Sequence, residues 1–345
     1  MILIDALYIN KGGGAVLLQY LIEKILEHPQ KDNFFFLLDP RFDKPAQLKG
    51  NFAVIPNKMS DRIKFYKSTA KNYSLVFCFA NTPPPIKLKV PAYTYFHNQK
   101  ILEAPSRKFE RKYLKLYLKY LVTKWYNANT DYYIVQTKHM VEELTNVGLK
   151  DLAHCLTIPF YDNKKYTGTS PAFDSRTKNE FVFISNPSPQ KNYPTLLDTW
   201  EYLLEQGHTP VLHVTIDNTG PVFIEKVDAL NVRGAKIVNH VYVDPKDLYF
   251  NCPYLIFPSI MESFGLPLIE AADSGMKVLA SDLTYVYDVI EPSLVFKPFD
   301  KVSMANAVIK AMNTDLPYPK VITRNEVDKL VELLVTKQIS TGKYP

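Results

Sequence analysis

The chain has 345 residues, a formal charge of +6, 46% apolar residues and 22% charged ones. That is a globular balance, and at roughly 100–200 residues per domain two domains are expected, each large enough to bury its own core. Three scattered cysteines, Cys78, Cys155 and Cys252, form no CxxC pair and no Cys/His cluster, which excludes a disulfide framework and a zinc motif and suits a reducing compartment.

The opening MILIDALYINKGGG lacks the basic start and long apolar core of a secretory leader. No run of 18 or more apolar residues is present to span a bilayer, so a cytoplasmic protein is expected. ILIDALYI reads as a strand, and AVLLQYLIEKILEH follows with Leu18, Leu21, Ile22 and Ile25 at helical spacing. NFFFLLD, NFAVIP, YSLVFCFA, AYTYFHN, YYIVQT and LTIPF continue the series of short strands. Such strands alternating with helices predict a parallel sheet covered on both faces. Between Tyr161 and Lys178 the pattern lapses into a polar stretch with Gly, Pro, Ser and Thr, read as an interdomain linker. The rhythm then restarts with EFVFIS, a helix YPTLLDTWEYLLEQG, and the strands VLHVTI, AKIVNHV, PYLIFPS, MKVLASD and SLVFKP. A last helix is expected over about 325–338, with no strand after it.

The densest chemistry lies in ESFGLPLIEAADSGM, residues 262–276. Pro267 suits the first turn of a helix, where its missing N–H has no partner anyway, and Gly275 suits the left-handed position just past the end. Glu262 then sits in a loop and Glu270 about one turn into the helix. Between them Phe264, Gly265 and Leu266 offer backbone N–H groups at a helix N-terminus, an anion site by virtue of unpaired donors and the helix dipole. Gly265 permits close approach to the backbone. Two acceptors with donors between them suit a ligand with hydroxyls at both ends and a phosphate in the middle, as in a nucleotide sugar. The plain alternative is a helix cap beside a surface glutamate.

FPSIMESFGLPLIEAADSGMKVLASD resembles the donor-binding signature of retaining glycosyltransferases of the GT-B fold, family 4 (group 1). The resemblance implies an α/β chain of two Rossmann-like domains facing across a cleft. The divisions would be 1–162, an acceptor-side domain; 163–318, a nucleotide-sugar donor domain; and 319–345, a helix returning to the first domain. It implies that Glu270 binds the ribose hydroxyls, that Glu262 reaches the donor sugar, and that the Phe264, Gly265 and Leu266 amides contact sugar and diphosphate.

FVFISNPSPQKNYPTLLDTW is similar to the family's first strand of the second domain, and Lys191 falls on the lysine that neutralises the diphosphate. A cation is needed there because negative charge grows on the leaving nucleotide. The family's arginine position reads Asn186, which can donate a hydrogen bond but supplies no charge. His240, after KIVN, stands where it can meet the base, or is a plain loop histidine. In the first domain Gly12 and Gly14 fit two positions of a dinucleotide fingerprint, but Leu17 occupies the third and a nicotinamide reading is weak. Three consecutive glycines favour a ligand's close approach, and the resemblance implies that this loop, with Gly13 and Gly14, faces the donor diphosphate and the acceptor. His97 follows a strand at a position where the family has a histidine near the reacting sugar. Glu262, Lys191 and His97 are the expected catalytic set.

The implied reaction is sugar transfer with retention, the departing phosphate taking the proton. No metal and no cofactor is expected: no Asp-x-Asp occurs, and Lys191 with backbone amides would take the metal's role. The partners are a nucleoside-diphosphate sugar and an oligosaccharide or lipid-linked glycan acceptor in surface-polysaccharide assembly. Two rivals stand beside this reading, a non-catalytic nucleotide-sugar-binding protein of the same fold and a nucleotide-sugar epimerase.

SRKFERKYLKLYLKYLVTKWYN reads as a basic aromatic helix, with Lys108, Lys112, Lys115 and Lys119 in one stripe. Leu114, Leu118, Leu121 and Trp125 form one flank, and Phe109, Tyr113, Leu116 and Tyr120 the other. Residues 107–126 could lie on an anionic membrane surface, the inner face of the plasma membrane, or could be an ordinary helix with a solvated lysine face. Nucleic acid is not an expected partner, since the aromatics form no RNA-reading motif.

Overall fold

The computed structural model describes residues 1–163, 166 and 179–337. It divides into two compact units, Met1–Asp162 with Arg324–Pro345, and Asn163–Thr323. The linker read over Tyr161–Lys178 lies mostly outside the described residues.

The first unit runs β1 (Ile2–Ala6), α1 (Gly13–Glu27), β2 (Phe34–Leu38), β3 (Phe52–Val54), α2 (Met59–Thr69), β4 (Leu75–Cys78), β5 (Ala92–Tyr95), α3 (Gln99–Glu103), α4 (Leu114–Tyr126), β6 (Tyr132–Val135), α5 (Lys138–Asn146) and β7 (Cys155–Thr157). Its strands form one parallel sheet in the order β3-β2-β1-β4-β5-β6-β7. Every residue of β1, β4 and β5 is buried. That is why these strands read as near-continuous apolar runs, interrupted by Asp5 and Thr94, instead of alternating, for a parallel sheet is covered on both faces.

The second unit runs β8 (Glu180–Phe183), α6 (Tyr193–Glu205), β9 (Val211–Val214), α7 (Pro221–Val232), β10 (Lys236–Asn239), α8 (Pro245–Asn251), β11 (Tyr254–Phe257), α9 (Leu266–Asp273), β12 (Lys277–Ser281), α10 (Thr284–Tyr287), β13 (Ile290–Glu291), β14 (Leu294–Phe296), α11 (Lys301–Asn313) and β15 (Lys320–Val321). A parallel sheet follows the order β10-β9-β8-β11-β12-β14. The antiparallel pair β13–β15 was not legible in the sequence, because two-residue strands carry no periodicity.

The last helix, α12 (Val327–Thr336), belongs to the first unit and packs on α1. Val327, Leu330, Val331, Leu333 and Leu334 form its buried face. Asn325 Nδ2 donates to the Tyr20 hydroxyl at 2.7 Å, and the Glu326 amide donates to the Pro159 carbonyl at 2.7 Å.

The basic aromatic helix is shorter than its spacing predicts. Lys108 and Phe109 lie in turns, residues 111–113 form a single 3₁₀ turn, and α4 begins at Leu114. The four-lysine stripe is therefore not carried by one helix. Phe109, expected on the flank with Tyr113 and Tyr120, is 93% exposed, whereas those two tyrosines are buried.

Candidate functional site

In each unit the strand order reverses once, between β1 and β4 in the first and between β8 and β11 in the second. Loops leaving the carboxyl ends of the two strands beside such a reversal diverge and leave a crevice, the usual ligand position in an open α/β sheet.

In the second unit the loop after β8 carries Asn186 and Lys191, and the loop after β11 carries Glu262. The two loops are tied together: the Ile260 amide donates to the Gln190 carbonyl at 2.8 Å, and Lys191 Nζ donates to Glu262 Oε1. Both side chains of this ion pair are mostly buried, and Lys191 Nζ also lies 5.8 Å from the Phe257 ring centroid. Asn192, next in the chain, turns the backbone into α6 with φ 54°. The α9 helix starts as its sequence requires. Gly265 at the N-cap has φ 85°, Pro267 sits in the first turn, and Gly275 follows the end with φ 69°. A Cβ on Gly265 would also come within 3.1 Å of Leu268 Cδ1. Phe264 turns its ring into the core, leaving only its backbone for a ligand, and Leu266 is half-buried. Glu270 accepts from the Tyr249 hydroxyl at 3.3 Å. Tyr249 is fully buried, which pushes its phenol well above the usual range and keeps it a donor. Asn186 is exposed.

His240 does not stand alone in its loop. Its Nε2 lies 3.0 Å from His213 Nδ1, and the two rings stack at 5.2 Å. The sequence shows no Cys/His cluster, but the fold assembles one: ligand atoms of Glu180, His213 and Cys252 lie within 4.8 Å of one another.

In the first unit the loops after β1, β4 and β5 surround a cavity of about 700 Å³, lined among others by Lys11, Gly14, Arg41, Asn81, His97 and Lys119. Two sequence-predicted residues meet here. A Cβ on Gly14 would lie 3.1 Å from His97 Nε2, so the glycine is what lets the ring lie against the start of α1. Gly13 and Gly14 form the first turn of α1, which has no side-chain cap. The His97 amide donates to Asn81 Oδ1 at 2.7 Å, and its ring stacks on Tyr95 at 4.9 Å. Burial pushes the imidazole down to about 4, so it is neutral at ordinary pH. Asn81 holds φ 63°, a left-handed conformation that asparagine tolerates better than most residues.

Sequence reasoning missed a buried network beneath this cavity. Asp5 and Arg62 are each 1% exposed and joined at 2.8 Å. Arg62 also donates to the Pro83 and Thr82 carbonyls, at 2.9 and 3.0 Å, and so fixes the loop after β4. Its Nη2 lies 3.2 Å from Cys78 Sγ, so that cysteine, packed in an apolar cluster with Leu3, Leu37 and Val76, also touches the polar network.

Two α/β units, each with functional-type side chains at its switch point, define a Rossmann-like pair. Residues 171–327, a little under half the chain, match the family model described as glycosyl transferases group 1. The matched stretch corresponds to most of the second unit. Among similar proteins is the serotype-specific mannosyltransferase WbdA of Escherichia coli, 26% identical over 152 residues. That match covers 41% of this chain and 18% of WbdA, so the chain spans under a fifth of that relative's length. The Anabaena HepE structure in complex with UDP and glucose superposes with TM-score 0.65 at 15% identity, covering 90% of this chain and 89% of that one. WaaG, a glycosyltransferase involved in lipopolysaccharide biosynthesis, superposes with TM-score 0.64 at 15% identity, covering 91% of each chain. The fold is the GT-B fold of these neighbours.

Proposed function

We propose that the chain is a glycosyltransferase that moves a sugar from a nucleoside-diphosphate donor to a glycan in surface-polysaccharide synthesis, with retention of configuration. The observation that carries the reading is the Lys191–Glu262 pair at the β8/β11 switch point, followed in the chain by α9 with Glu270, held by Tyr249, about one turn inside it. Glu270 would take the ribose hydroxyls and Glu262 the sugar hydroxyls. The Gly265 turn would bring the diphosphate to the α9 N-terminus. Lys191, already desolvated, would offset the charge growing on the leaving phosphate, with Asn186 as a neutral donor beside it. The acceptor oxygen attacks the anomeric carbon on the face the nucleotide leaves. The bonding electrons pass to the phosphate oxygen, which takes the acceptor's proton. No side-chain nucleophile and no metal is called for in that step.

The acceptor reading rests on the cavity of the first unit. Lys11, Arg41 and Lys119 supply positive charge, while Ile101, Leu118 and Val122 supply apolar wall, a lining suited to a phosphate-linked lipid carrying a glycan. Neutral His97 would hydrogen-bond a reacting hydroxyl, and Gly13 and Gly14 would let phosphate approach the start of α1. The outer flank of α4 supports delivery from a membrane surface. Leu114, Leu118, Leu121 and Trp125 are 50%, 53%, 40% and 82% exposed, beside exposed Lys115, Lys119 and Lys124. Among the described residues no helix is long and apolar enough to cross a bilayer, so contact would be peripheral, on the cytoplasmic face.

Calorimetric titration with UDP, GDP, ADP, CDP and dTDP tests the donor site. One base should bind with micromolar affinity, and Glu270→Ala should abolish that binding. Lys191→Ala should lower turnover by on the order of 100-fold while leaving nucleoside affinity nearly unchanged. Silence from all five nucleotides would favour a second reading, a non-catalytic member of the fold. The uncharged, exposed Asn186 in the arginine's place is the observation behind it.

A further inference from the structure

We propose that Glu180, His213 and Cys252 form a binding site for a zinc-type divalent cation in the second unit, with His240 as the positioning residue. The inference stands independently of the nucleotide-sugar reading. Glu180 opens β8, His213 lies in the adjacent strand β9, and Cys252 follows α8 on the way into β11. The three residues are 180 to 252 in sequence, which is why no spacing motif announces them. Their ligand atoms nevertheless converge within 4.8 Å.

The chemistry of the cluster asks for a cation. His213 Nε2 lies 3.4 Å from Glu180 Oε2, yet this buried nitrogen makes no hydrogen bond. On the other side of the ring, His213 Nδ1 is 3.0 Å from His240 Nε2. If Nδ1–H donates to His240, the Nε2 lone pair faces a carboxylate, acceptor against acceptor. A bound cation removes that conflict. Histidine ligands commonly use the second ring nitrogen to fix their tautomer, as His240 would do here.

Cysteine thiolate, imidazole and carboxylate together suit zinc. Zinc bonds of about 2.0–2.3 Å place tetrahedral ligands roughly 3.3–3.8 Å apart, so the His213–Glu180 spacing already fits and the thiol needs a shift of about 1 Å at most. Glu180 and His213 keep 27% and 15% of their side chains exposed, so a water can complete the shell and the ion can exchange. The bound ion would clamp the end of α8 to the start of β8. The same helix carries Tyr249, which holds Glu270.

Cobalt substitution of the full chain, stripped with a chelator, reads the site directly. One equivalent of Co²⁺ should give tetrahedral d–d absorption and a thiolate charge-transfer band, both displaced by Zn²⁺. Cys252→Ser should lose the charge-transfer band. His213→Gln and Glu180→Gln should each weaken Co²⁺ binding at least about tenfold, and His240→Ala roughly 10–100-fold. Zn²⁺ should raise the melting midpoint of the parent protein but not of Cys252→Ser, with circular dichroism reporting that each variant folds. If Cys252→Ser fails to fold, X-ray absorption of the zinc-loaded parent decides: one sulfur neighbour supports the site, and none overturns it. Absence of a charge-transfer band in the parent, or its persistence in folded Cys252→Ser, likewise overturns the proposal.

Discussion

At the scale of single residues, the local rules of helix ends made the donor loop readable. Gly265, Pro267 and Gly275 mark a start and a stop whose chemistry lies within a few positions, and the observed φ values follow them. Partners across the sheet were not readable. Nothing in the sequence joins Glu270 to Tyr249, Asp5 to Arg62, or His240 to His213, because those pairs exist only once parallel strands have been ordered. His97 shows what burial then adds. Its folded value of about 4 lies below the ordinary 6.5, so between those pH values the unfolded chain binds a proton that the folded one refuses. Stability should therefore be unaffected by this group above about pH 6.5 and should fall as the solution is acidified toward pH 4, by up to about 3 kcal/mol. Urea unfolding of the parent and His97→Gln across pH 4–7 measures it. The variant should show a shallower loss on acidification. Parallel curves would mean that folding leaves the His97 imidazole as easily protonated as in the unfolded chain.

At the scale of elements, α4 is the case where amphipathicity was visible but its facing was not. Periodicity gave two apolar flanks and could not say which one the core takes. The structure buries Tyr113 and Tyr120 and packs Leu116 and Tyr117 against the core cluster around Phe96, Leu102 and Tyr133. The flank of Leu114, Leu118, Leu121 and Trp125 is left outside. Apolar side chains outside with lysines beside them suit an anionic bilayer, where each basic residue near the surface contributes about 1 kcal/mol. The double variant Leu121→Glu/Trp125→Glu should cut sedimentation with phosphatidylglycerol vesicles by at least about tenfold. Both positions lie on the surface away from the cavity lining, so stability should change by less than about 0.5 kcal/mol. Equal sedimentation of parent and variant would remove α4 from the membrane assignment.

At the scale of the whole molecule, the repeated strand–helix alternation made two parallel sheets legible, since each buried strand is a compact apolar run. The return of the chain to its first unit was legible only through family resemblance. An amphipathic helix at the end of a sequence does not name the surface it covers. The α12 helix buries five apolar side chains in the first unit, and Asn325 and Glu326 fasten its start to Tyr20 and Pro159. Each such side chain is worth roughly 1.5–3 kcal/mol of burial, so the helix contributes an amount comparable with a domain's entire net stability. Leu330 is fully buried within that face. Leu330→Ala should cost about 2–5 kcal/mol and lower the melting of the first unit alone. Chains of two units need not unfold in one step, so calorimetry of the variant should show one transition moved down and the other in place. Nucleotide binding, assigned to the second unit, should persist at temperatures between the two. A uniform downward shift, with nucleotide affinity lost in step, would mean that the two units unfold as one and that the helix stabilises both.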